Sequence, residues 1–183
     1  MEDNTNSISE RAEFDKKMVE KNEYMPVRSK RGVLMSIPKA EKKDLQEILD
    51  LQYIAYQSEA KLLGNDDIPP LRQTIEEVKQ EFEVSTFLKL IDEDNKIIGS
   101  VRAYIRDKTL FIGKLIVHPD YQGQGLGTKL LYEIERVCPH ERCELFTSSK
   151  SQRNIQLYQR LGYKVFKAQD VSNNLKFIYL EKL

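Results

Sequence analysis

"LIVHPDYQGQGLGTKLL", residues 115–131, joins an apolar run to an amphipathic one through a turn that holds Gly123, Gly125 and Gly127. Strand, glycine turn and helix in that order can hold an anion. Glycines let successive backbone N–H groups converge with no Cβ in the way, and the positive end of the following helix adds to the attraction. Two common phosphate loops fail to match. A Walker A loop reads G-x-x-x-x-G-K-[ST], whereas Gly127 is followed by Thr128 and then Lys129. A dinucleotide loop reads G-x-G-x-x-G after the first strand of a parallel sheet. Here the spacing is G-x-G-x-G, after what reads as an antiparallel meander.

Upstream of the turn, "STFLKLI" (85–91), "KIIGSVRAYI" (96–105) and "TLFIGKLIV" (109–117) read as strands. The links "DEDN" and "RDK" are short enough for hairpins. The third run is apolar almost throughout, which predicts a central strand buried on both faces, and Gly113 inside it predicts a bulge or close backbone approach. Before the strands, Leu45, Ile48, Leu49, Tyr53, Tyr56, Ala60 and Leu63 recur at helical steps as far as Gly64. Past the loop "NDDIPP", Leu71, Ile75, Val78 and Phe82 predict a second helix. After the turn, Leu126, Leu130, Leu131, Ile134 and Val137 form a helical stripe that ends at Cys138-Pro139. "CELFTS" (143–148) reads as a strand, "SQRNIQLYQRLG" (151–162) as a helix, and "YKVFKA" and "LKFIYLEKL" as closing strands.

This order gives an α+β fold with an α/β-like core. We expect a mixed, largely antiparallel twisted sheet of six to seven strands flanked by about four helices. Residues 33–183 form the expected domain, with a short strand in "VLMSIPKA". Residues 1–32 read as a polar extension, a tail or a short helix. A capping box at Ser7 and Glu10 would start that helix, with Phe14 and Met18 one turn apart.

Lys plus Arg and Asp plus Glu each number 29, so no global basic field draws in nucleic acid or an anionic membrane. No apolar run approaches the ~20 residues of a membrane span, and the polar N-terminus has no signal-peptide core. A cytoplasmic location is expected. Cys138 and Cys143 read as reduced packing thiols, and His118 and His140 lack metal-ligand spacing, so no metal is expected.

The segment 115–131 resembles the acetyl-CoA-binding segment of the GNAT N-acetyltransferase superfamily. In that family a strand ending V-x-P is followed by Q/R-x-x-G-x-G/A opening a helix, and Gln122, Gly125 and Gly127 fill the pattern. "NIQLYQRLGYKVF" is similar to the later A-I-x-L-Y-x-x-x-G-F/Y segment, and the order of elements over 33–183 is the family's own. The resemblance implies a splayed strand pair, 110–117 and 143–148, with the pantetheine arm of acetyl-CoA between them. Backbone groups of Leu115, Ile116 and Val117 would pair with the arm, and the Val117 N–H would polarise the thioester carbonyl. Gln122, Gly123, Gln124, Gly125, Leu126, Gly127 and Thr128 would cradle the pyrophosphate.

The resemblance further implies direct attack of an amine on the thioester, with Tyr158 as general acid. Two departures from the family pattern stand out. Ser151 occupies the place of a pantetheine-binding Asn, with Asn154 as a second candidate for that contact. Phe146 occupies the place of a glutamate base, so Glu144, Glu59 or a water relay takes that role. The acceptor region would be Tyr56, Glu59, Asp66 and Asp67, suited to a cationic amine. The implied activity is N-acetylation of a primary amine, small molecule or peptide, by an enzyme for which a homodimer is possible. The alternative is a non-catalytic acyl-CoA-binding regulatory module on the same fold.

Overall fold

The computed structural model describes residues 26–28, 32, 34–172 and 175–183. The helix expected from Ser7 lies outside the described residues. Among the described residues, eight strands form one sheet in the order β1-β2-β3-β4-β5-β6-β8-β7, one more than the upper expectation. The additional strand is β1 (Pro26–Arg28), within the stretch read as polar extension, and it pairs antiparallel with β2 (Leu34–Ser36).

Helix α1 (Leu45–Leu63) ends at Gly64, whose φ of 67° lets its N–H reach back to the Ala60 and Lys61 carbonyls. The second helix is two pieces, a single turn α2 (Pro69–Arg72) and α3 (Ile75–Val84). Gln73 is extended, and Thr74 restarts the helix with a capping box in which its Oγ1 accepts from the Glu77 N–H. The T-x-x-E signature outweighs the continuous apolar stripe.

Strands β3 (Thr86–Ile91), β4 (Ile97–Arg106) and β5 (Thr109–Val117) form the expected antiparallel meander. Asp107 and Lys108 both have positive φ, as a two-residue hairpin requires. The strand buried on both faces is β4, over Ile97–Ala103, whereas β5 alternates between buried and half-buried. The apolar run of β5 has a second role, lining a cleft. Its bulge is one residue past the predicted glycine. Ser100 pairs with Ile116 and Arg102 with Gly113, so β5 carries an extra residue between them, and Lys114 takes the left-handed φ of 47°.

Helix α4 (Leu126–Val137) crosses one face of the sheet so closely that a Cβ on Gly99 of β4 would lie 3.0 Å from Leu130 Cδ1. Strand β6 (Arg142–Ser148), helix α5 (Gln152–Arg160), β7 (Lys164–Ser172) and β8 (Leu175–Lys182) complete the chain. Two cores result. Leu88, Ile98, Val101, Leu110, Leu130, Leu131, Ile134 and Leu145 fill the α4 side, where Tyr158 of α5 also packs. Leu45, Ile48, Leu49, Val78, Phe87 and Ile97 fill the α1/α3 side. Each fully buried Leu or Ile contributes roughly 1.5–3 kcal/mol. Cys138 and Cys143 are free and buried, and burial, aided by Glu135, pushes the Cys143 thiol up to about 11, as suits packing thiols.

Candidate active site

Strands β5 and β6 are parallel and pair only through Thr109–Arg142, Leu110–Cys143 and Phe111–Glu144. Beyond Phe111 they part, which is the splay expected for 110–117 and 143–148. A cleft of about 1590 Å³ opens there, lined by Leu115, Ile116, Val117, Gln122, Gly123, Gly125, Leu126, Gly127 and Thr128 among others. Of the loop residues singled out from the sequence, only Gln124 does not line it.

Register fixes which backbone groups face the gap. The His118 N–H bonds the Ile98 carbonyl of β4 at 2.8 Å, and Gly99 pairs with Val117. Val117, one residue earlier than His118, therefore turns its own N–H and C=O to the opposite edge, toward β6. Its carbonyl accepts from Gln122 Nε2 at 3.0 Å, and Gln122 Oε1 accepts from Arg153 Nη1 of α5 at 3.3 Å. The motif glutamine thus ties the end of β5 to the opposite wall.

The glycine loop is shaped by backbone angle. Gly123 and Gly125 have φ of 76° and 78°, which residues with a Cβ adopt at a cost. Lys129 is the first residue whose N–H bonds back within α4, to the Gly125 carbonyl, so the N–H groups before it face the loop. A Cβ on Gly127 would meet nothing within 4 Å, which leaves open space at the helix start. Lys150, Arg153 and Arg160 also line the cleft. An unpaired strand edge, a ring of N–H groups at a helix start and three basic side chains fit a ligand with an amide-bearing arm and a diphosphate.

The candidate acid–base residues meet where α1 and α5 face each other across the gap. Ser151 Oγ lies 2.7 Å and 2.8 Å from the two carboxylate oxygens of Glu59, although the residues are 92 positions apart. Tyr158 is 8 % exposed, lines the cleft, and its O–H donates to no group among the described residues. Burial first, then the nearby Tyr56 and Glu59, push its phenol above the ordinary tyrosine range. Burial and Glu59 push Tyr56 up to about 12. Asn154 lines the cleft and its amide approaches Thr147 Oγ1 at 3.5 Å. Glu144 does not line the cleft; it pairs with Arg142 at 2.9 Å and lines an adjoining cavity of about 130 Å³ that shares Glu81, Gly113 and Phe146 with the cleft. Asp66 and Asp67 do not line the cleft, and Asp67 pairs with Arg72 on the surface. His118 ends β5 with its Nδ1 accepting from the Asp120 N–H.

The sequence reading missed a buried polar cluster. Arg102 of β4, 2 % exposed, donates from Nη2 to Gln52 at 2.7 Å and from Nη1 to Glu81 at 2.8 Å. Glu81 Oε2 also accepts from Gln73 Nε2 at 2.9 Å and from Lys114 Nζ at 3.3 Å. Burial acts to raise the Glu81 carboxyl, but Arg102 and Lys114 outweigh it and hold it below the usual range. Glu81, Gln73 and Lys114 all line the cleft. Arg102 inside an apolar strand run was the available signal, because a buried guanidinium requires a partner. Among the described residues, no group of three or more His, Cys, Asp or Glu side chains could hold a metal, and no helix is long and apolar enough to cross a membrane.

The chain is 29% identical over 120 residues to UPF0157 protein YqkA of Bacillus subtilis (strain 168), a match over 65% of this chain and 34% of that protein. It is 30% identical over 105 residues to an uncharacterized N-acetyltransferase, ycf52, of Gracilaria tenuistipitata var. liui, covering 54% and 57%. The chain thus spans about a third of the one relative's length and somewhat over half of the other's. Among solved structures, the paia N-acetyltransferase of Thermoplasma acidophilum in complex with coenzyme A superposes with a TM-score of 0.65 at 17% identity. That superposition covers 79% of this chain and 97% of that one, and shows the shared fold. The sequence profile of the acetyltransferase (GNAT) family matches residues 44–163, from the start of α1 through the glycine loop to the end of α5. This chain belongs to the acetyltransferase (GNAT) family.

Proposed function

We propose that this protein is an N-acetyltransferase that moves the acetyl group of acetyl-CoA to a primary amine by direct attack in a ternary complex. The observation that supports the reading is the Tyr158 phenol, whose O–H donates to no group among the described residues, in the cleft wall near Glu59. When bound, acetyl-CoA supplies the activated thioester, and holding it beside the amine gives much of the acceleration. The Val117 N–H would hold the thioester oxygen, and the N–H groups from Gly123 to Thr128 would hold the diphosphate.

A cationic acceptor first gives up one proton to solvent; from the neutral amine Glu59 takes the next as the nitrogen forms the C–N bond and the C–S bond breaks. Tyr158 gives its proton to the departing sulfur. The two transfers assist each other. The Glu59 carboxylate is one of the charges that hold Tyr158 high, so protonating Glu59 makes the phenol a better donor. Returning the proton from Glu59 to Tyr158 restores the starting charges.

Glu59 and Glu77 line the cleft on the α1/α3 side, where the Glu81 charge is already met by Arg102 and Lys114, and these two carboxylates support a cationic amine as acceptor. The test is acceptor-dependent release of free CoA across an amine panel. Wild type turns over, and Tyr158→Phe loses about 10²- to 10⁴-fold in kcat with the KM for acetyl-CoA within about threefold. Acetyl-CoA binding with no amine-dependent release identifies a regulatory binding module and overturns the proposal.

A further inference from the structure

The bond between Ser151 and Glu59 does not fit the role that the family pattern gives to this position. Ser151 is 4 % exposed and stands at the N-cap of α5, where a serine hydroxyl ordinarily accepts from the helix's own N–H groups. It makes no such cap bond. Its Oγ instead points to both carboxylate oxygens of Glu59, at 2.7 Å and 2.8 Å, across the gap between the helical layers. A hydroxyl whose one proton goes to Glu59 cannot also donate it to a pantetheine carbonyl. Tyr158 follows two turns later on the same helix, and seven residues place both side chains on one face.

We infer that Ser151 is a positioning residue that holds the Glu59 carboxylate toward Tyr158, so that α5 carries the proton donor and orients the proton acceptor. The inference rests on the acetyltransferase reading of the site. The groups around Glu59 agree with this role. Tyr56 faces it from its own helix, and Tyr158 and Ser151 face it from α5. Among the described residues no basic side chain pairs with it, and the serine is its one hydrogen-bond partner. A free glutamate on a helix surface samples several rotamers, and fixing one of them raises the fraction of encounters that can react.

The test is steady-state kinetics on Ser151→Ala, Ser151→Thr, Glu59→Gln and the Ser151→Ala/Glu59→Gln pair, with amine and acetyl-CoA varied separately. Ser151→Ala lowers kcat by roughly 10- to 100-fold and leaves the KM for acetyl-CoA within about twofold. Ser151→Thr, which keeps the hydroxyl, recovers most of the loss. In the Glu59→Gln background Ser151→Ala has little further effect, because the group it orients is already gone. A raised KM for acetyl-CoA at unchanged kcat overturns the inference and returns Ser151 to the pantetheine. Multiplying losses in the double variant also overturn it. If wild type turns over and Ser151→Ala matches it, only this inference falls. If wild type releases no CoA with any amine, the acetyltransferase reading falls first.

Discussion

Two walls of the cleft, besides the one from β6 and α5, are built from different materials. The wall formed by β5, the glycine loop and α4 presents main chain: the free edge at Val117, left-handed glycines, and the first N–H groups of a helix. The wall formed by α1, α2 and α3 presents side chains: Glu59, Gln73 and Glu81, with Lys114 reaching in from the bulge. Main-chain recognition depends on local conformation and so needs residues close in sequence. Side-chain recognition depends on partners brought from afar, such as Gln52 and Arg102, 50 positions apart.

Four substitutions would break or sharpen this contrast. The largest effect is expected at Arg102→Met, which strips the buried Gln52 and the half-buried Glu81 carboxylate of a shared partner while Lys114 remains. Unfolding free energy falls by about 3 kcal/mol, at the low end for a broken buried pair, read by urea denaturation. Gly125→Val comes next. A β-branched residue at φ 78° costs about 1–2 kcal/mol, so acetyl-CoA affinity by calorimetry drops roughly 5- to 30-fold with the fold intact. Loss of folding rather than affinity would mean that the loop serves the core. The smallest effect is expected where a side chain lies outside the cleft on either wall. Gln124→Ala and Asp66→Lys should each stay within about 0.5 kcal/mol in stability and about twofold in either KM. A large change at Gln124 would show that the loop reads its ligand through side chains.

The same contrast explains what was legible in the sequence. The order of elements from β2 onward, the turn at Gly123 to Gly125 and the helix through Tyr158 carry local signatures, and the structure has them where the sequence predicts them. The break at Thr74 was also legible, since Thr74 and Glu77 form a capping box, but the apolar stripe from Leu71 to Phe82 hid it. The bulge was placed one residue early because glycine is the usual host for a positive φ, and here Lys114 takes it. The Arg102 cluster and the Ser151–Glu59 bond had no local pattern to read. Each is a pairing across the fold, and its members look like ordinary polar residues until the sheet brings them together.

The short contact between β5 and β6 has a mechanical consequence. Five strands on one side and three on the other meet through only three paired positions. On the α4 face a continuous core, from Leu110 through Leu145 to Leu180, bonds the two panels; on the face toward α1 the joint is open. The sheet is a hinge glued along one side. Any molecule that bridges the open side is also a brace, so the heat needed to unfold the chain should rise with ligand concentration.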